Sequence, residues 1–142
     1  MTTEHSGRSR SLAMRCIVAG ALLMLLAVIL GAFGAHALRA HLSPARLASF
    51  QTGVLYHQLH ALGLVLVGLV AQVTPRTRWI VWSAVLFGAG ILLFAGSIYA
   101  MTFGASRALG MVAPLGGVSL MLGWACLAMH AWLVARGKVN SE

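Results

Sequence analysis

Between Glu4 and Glu142 the chain carries no carboxylate. A surface facing water normally needs about a quarter of its residues charged. Here 8% of 142 residues are charged and 60% are hydrophobic. Most of this surface must therefore face a medium other than water, and a lipid bilayer is the solvent that fits. The length suits one domain of four spans of about 20 residues joined by short connections. Inside lipid every backbone N–H and C=O needs a partner within the chain, so runs of that length have to be helices. The expected fold class is all-α, a polytopic membrane protein with four transmembrane helices.

The apolar runs divide the chain. Residues 1–15 form a polar, basic N-terminal tail with Arg8, Arg10 and Arg15, expected to be disordered at its start. The transmembrane domain covers 16–135, with spans at about 16–35, 53–73, 79–101 and 114–134, and 136–142 form a C-terminal tail. The basic start and the small-x-small tripeptide Ala35-His36-Ala37 raise the question of a signal peptide. The first run exceeds the usual hydrophobic region of about 7–15 residues, so it reads as a retained helix. Thr74-Pro75 ends the second span, because proline lacks the N–H a helix needs. Pro114 suits the first position of the fourth, where its missing N–H goes unpaired anyway. In the connection 36–52, Ser43-Pro44 is a helix start followed at helical spacing by Leu47, Phe50 and Val54. That pattern predicts a short interfacial helix feeding the second span through Gly53. The 74–78 turn is short enough to make spans two and three antiparallel neighbours.

The net charge of +8 comes from ten Lys and Arg, which punctuate the apolar runs. They read as topology signals and contacts for anionic headgroups rather than as a nucleic-acid face. The two tails and the 74–78 turn hold Arg8, Arg10, Arg15, Arg76, Arg78, Arg136 and Lys138, against Arg39, Arg46 and Arg107 on the other side. The positive-inside rule then places both termini in the cytoplasm, in the inner (plasma) membrane of a cell. Trp79, Trp82 and Trp132 fall at the same, inner interface.

Polar residues inside spans are costly and often functional. On a rise of 1.5 Å per residue, His57 lies about 6 Å deep and His60 about 10 Å, counted from Gly53. Tyr56 and His60 share a helix face. His36, Tyr56, His60, Ser97 and Tyr99, with His57 and Gln58 beside them, form a candidate polar cluster in the outer third of the membrane. Such a cluster suits a metal, a haem edge, a quinone or a small polar solute, or simply hydrogen bonding between helices. His57–His60 spacing is weak as a metal signature without a carboxylate, so no metal site and no cofactor are expected. His130 and His60 differ in depth by roughly 15 Å and cannot share a haem iron. Proton-coupled transporters usually carry an Asp or Glu within a span, and none is present. No G-x-S-x-G and no acid-backed Ser-His pair appears, so no enzyme chemistry is expected. Cys16 and Cys126 read as small packing residues. Gly31, Gly34, Ala35, Gly88, Gly90, Gly96, Ala100, Gly116, Gly117, Ser119 and Gly123 would let helix backbones approach closely within a compact bundle.

GAFGAHAL (Gly31 to Leu38), LSPARLASFQTGVLYHQLHAL (Leu42 to Leu62), FAGSIYAM (Phe94 to Met101) and PLGG (Pro114 to Gly117) together resemble the YwdK/YgdD-like small membrane proteins, a family without an established function. The resemblance implies four helices in a cytoplasmic membrane and no assigned activity. It matches a family His to His36, a Tyr to Tyr56 and a His to His60, and gives His57 no clear place. The expected role is a structural or accessory membrane protein. The alternative is binding of a small ligand, or minor transport, at the His/Tyr cluster. Membrane lipids are the expected partners, with a second copy or another membrane protein as further candidates, and nucleic acid is not among them.

Overall fold

The computed structural model describes residues 3–137, with side chains for 11–106 and 108–137. Of the residues counted for topology, Lys138 and the side chains of Arg8, Arg10 and Arg107 lie outside the described residues. Four helices follow one another: α1 (Thr3–His36), α2 (Pro44–Val73), α3 (Arg78–Thr102) and α4 (Val112–Ala135). Short 3-10 turns at Leu38–Ala40 and Arg107–Met111 precede α2 and α4. Each of the four is long and apolar enough to cross a membrane.

Three boundaries differ from the sequence expectation. Helix α1 starts at Thr3 instead of after a tail ending at residue 15. Adding residues to an existing helix costs far less than nucleating one, and no proline interrupts residues 3–15. Ala13, expected in the tail, is fully buried against α2. The helix expected from Ser43-Pro44 is present, but it is not a separate interfacial piece. It runs without a break into the second span as the 30-residue α2. Ser43 Oγ accepts from Arg46 N at 3.4 Å with Pro44 following, which starts α2 as anticipated. Pro114 falls inside the first turn of α4 rather than at its first residue, where its missing N–H is equally harmless.

The extensive helix contacts are α1 with α2, α2 with α3 and α3 with α4. The expected compact bundle is thus an open one. Half of the most apolar stretch of α2 is buried, against 17% for α1 and for α4. Lipid tails are as apolar as leucine, so packing between spans depends on van der Waals fit and hydrogen bonds. Absent side chains supply the fit. A Cβ on Gly68 would stand 2.7 Å from Ala13 O of α1, and one on Gly116 would overlap the Phe94 backbone nitrogen of α3. Phe87, fully buried, fills the space that Gly63 of α2 and Gly123 of α4 leave open. Of the small residues singled out from sequence, Gly34, Gly90, Gly116 and Gly123 lie at such contacts, whereas Gly88 and Gly96 face open space. Ser83 Oγ donates to Gly123 O at 2.9 Å and Ser119 Oγ to Leu86 O at 2.8 Å, tying α3 to α4.

Candidate functional site

The anticipated cluster resolves into two groups on different sides of α2, and His36 joins neither. His36 is exposed at the last turn of α1. The first group is Tyr56 and His60. A rise of four residues stacks their rings at 5.9 Å, and the His60 Nδ1–H donates to the Tyr56 carbonyl at 2.7 Å. A carbonyl only accepts, so the proton of neutral His60 sits on Nδ1. The ring then meets Phe87 and Trp124 edge-on at 5.6 and 6.1 Å, and Tyr56 packs on Phe94 at 4.8 Å. His60 is therefore an aromatic packing element between α2, α3 and α4.

The second group is His57 and Tyr99, at the contact of α2 with α3. His57 Nδ1 lies 3.3 Å from Tyr99 Oη, and Tyr99 in turn packs on the fully buried Phe50 at 5.2 Å. His57 is 2% exposed, and its Nε2 has no hydrogen-bond partner among the described residues. Ser97, placed in the expected cluster, donates to the Phe94 carbonyl at 2.9 Å within α3. Gln58 lies toward α1, with its Nε2 3.9 Å from where a Gly31 Cβ would stand. Among the described residues no three His, Cys, Asp or Glu side chains gather as a metal-ligand set. Cys16 is buried and Cys126 half-buried, both free.

A third polar group was not assembled from the sequence. His130 of α4 is fully buried, with Nε2 3.0 Å from Thr74 Oγ1 and Nδ1 2.9 Å from Thr77 Oγ1. Thr74-Pro75 reads in sequence only as a helix stop, and no periodicity relates it to a histidine 56 residues away. Arg46 was likewise counted only as a charge. Its Nη2 donates to Met101 O and Thr102 O at 3.3 and 3.0 Å, binding the first turn of α2 to the last carbonyls of α3. At the opposite end Arg78 lies over Trp79 at 5.2 Å and Arg136 over Trp132 at 4.1 Å. Cation and amphipathic ring are thus paired where a membrane–water boundary suits both.

Four helices apolar enough to cross a membrane, with His57, His60, Ser83, Ser97 and His130 buried among them, define a small polytopic helical membrane protein. The chain belongs to the family described as "Protein of unknown function (DUF423)", whose model matches residues 30–117. It is similar to the UPF0382 membrane protein YwdK of Bacillus subtilis, 40% identical over 115 residues that cover 81% of this chain and 94% of that protein. It is also similar to the UPF0382 inner membrane protein YgdD of Escherichia coli, 36% identical over 116 residues, 81% of this chain and 87% of that one. The resemblance read from the sequence holds. The matched segment contains both the Tyr56–His60 and the His57–Tyr99 groups and stops short of His130. No solved structure matches the chain.

Proposed function

We propose that this protein is a non-enzymatic structural or accessory component of the cytoplasmic membrane, with both termini on the cytoplasmic side. The role rests on one observation above all: His60, Ser97 and His130, three of the side chains that could do chemistry, bond within the chain. His60 is bonded to its own helix and boxed by aromatic rings, and Ser97 donates to α3. The outward faces are apolar instead, with Leu22, Leu25 and Ile29 on α1 and Leu115, Met121 and Leu122 on α4 exposed. Lipid covers such faces, and a membrane-protein partner or a second copy would meet them there. The excess of Lys and Arg at the terminal end, with its two Arg–Trp pairs, supports the orientation.

A test places photo-crosslinking residues at positions 22, 29 and 121 in the native membrane and identifies adducts by mass spectrometry. Adducts to lipid or to a reproducible membrane protein are expected. A soluble substrate captured instead by crosslinking residues placed at positions 36 and 56 would defeat the proposal. A reporter fused after Glu142 that fluoresces only in the cytoplasm should be bright; a dark fusion reverses the orientation. One observation favours the second reading, a small-ligand site: the buried, unpartnered Nε2 of His57. Stoichiometric metal, haem or quinone in gently purified protein, lost on His57→Phe, would decide for it.

A further inference from the structure

Away from the chain termini, the first turns of α2 and the last turns of α3 stand apart around an open groove of about 670 Å³. Arg46, Ser49 and Thr52 line it from α2, with Ile98 and Met101 from α3 and Ala105 beyond. The two bonds of Arg46 Nη2 to the carbonyls of α3 hold the guanidinium at this groove. A guanidinium has five N–H donors, and those on Nε and Nη1 have no acceptor among the described residues.

The electrostatics are one-sided. The first turn of α2 contains no acid, and the only carboxylate side chains of the whole chain are Glu4 and Glu142. The positive end of the α2 dipole, about half a charge, roughly cancels the negative end of α3. The full charge of Arg46 remains uncompensated by protein. The hydroxyls point to the kind of anion. Ser49 Oγ donates to Ala45 O at 3.1 Å, Thr52 Oγ1 to Ala48 O at 3.0 Å and Thr102 Oγ1 to Ile98 O at 2.9 Å. With their protons engaged, they present acceptors to a ligand. The groove therefore offers one cationic fork and several hydroxyl acceptors, with apolar Ile98, Met101 and Ala105 alongside.

We propose that this groove binds the headgroup of an anionic phospholipid that itself carries hydroxyls. The phosphate sits on Arg46, headgroup hydroxyls donate to Ser49 and Thr52, and the acyl chains leave along Ile98 and Met101 into the bilayer. Either orientation of the chain in the membrane accommodates this site.

Native mass spectrometry of the full chain in mild detergent tests it, with phosphatidylglycerol and phosphatidylcholine of matched acyl chains as probes. The first phosphatidylglycerol should bind at least about fivefold more tightly, the scale of one basic residue near an anionic surface. Arg46→Gln should abolish that preference. Arg39→Gln, near the same end but outside the groove, should keep it. Loss of Arg46 also releases α2 from α3, so Ala105→Phe, which fills the groove and leaves the guanidinium in place, is the second variant and should also abolish it. The proposal is overturned by no preference in the unaltered protein or by equal losses in the Arg39 and Arg46 variants. Preference surviving Ala105→Phe, or displacement of the lipid by inorganic phosphate, would overturn it too.

Discussion

His130 in α4 bonds to Thr77 across 2.9 Å while Thr77 itself caps α3, accepting from Ile80 N at 3.4 Å. The proton inventory orders the whole chain of bonds. Thr74 Oγ1 donates to Val70 O at 2.7 Å, which uses its one proton, so it accepts from His130 Nε2–H at 3.0 Å. Neutral His130 then has a bare Nδ1, which accepts from Thr77 Oγ1–H. One imidazole thus satisfies both ends of the α2–α3 turn and anchors it to α4.

His130→Ala is predicted to destabilise the protein by about 1–3 kcal/mol, since it strands the Thr77 hydroxyl proton beside a cavity. Thr77→Ala also removes the α3 cap, a loss of about 0.5–2 kcal/mol. A double-mutant cycle on thermal unfolding in mild detergent checks the link. The two changes should cost less together than the sum of the single ones. Strict additivity would mean the bond contributes nothing.

Glycines of similar appearance in the sequence should behave oppositely. Gly116→Ala forces a methyl against the backbone of Phe94, where no flexible side chain can yield, and should cost about 1–3 kcal/mol as overpacking does. Gly88 has nothing within 4 Å of its missing Cβ, so Gly88→Ala should be neutral or stabilise by up to about 1 kcal/mol through helix propensity. Equal melting temperatures for the two variants would refute the α3–α4 contact described above.

For the His57–Tyr99 pair the expected order is unusual. Tyr99→Phe leaves the buried ring of His57 without its one partner, at about 1–3 kcal/mol. His57→Phe strands the hydroxyl of the less buried Tyr99 but also removes an already unpartnered nitrogen, and should cost less than Tyr99→Phe. If His57→Phe proves the more damaging change, Nε2 has a polar ligand in the membrane and the small-ligand reading gains.

His60 offers the sharpest check on the accessory role. His60→Phe keeps the ring that meets Phe87 and Trp124, giving up a bond to a carbonyl that its own helix already serves. It should leave cellular abundance and crosslinking partners unchanged. His60→Ala empties the aromatic box and should cost about 2–4 kcal/mol, seen as a lower melting temperature. Loss of a cellular phenotype in the Phe variant at full abundance would mean that the imidazole itself acts.

The number of spans, their helical character and the starts and stops at Ser43-Pro44 and Thr74-Pro75 are legible in the residues because they depend on local chemistry. Hydropathy over about 20 residues and the missing proline N–H act without reference to the rest of the chain. The same local view misplaced the start of α1, since whether Ala13 belongs to a helix depends on the surface of α2 that receives it. It also joined side chains by depth. Tyr56 and His57 are neighbours in depth but point to different sides of α2, and only the positions of α3 and α4 decide what each ring meets.

What the sequence by itself determined is a membrane protein of four helices in a recognisable family, because solvent compatibility is a sum over residues. The tertiary structure alone decided which polar atoms have partners. It put His130 between two threonines, boxed His60 in aromatic rings and left Nε2 of His57 without a bond. Hydrogen bonds act over about 3 Å, so their partners are set by how helices distant in sequence rotate against one another.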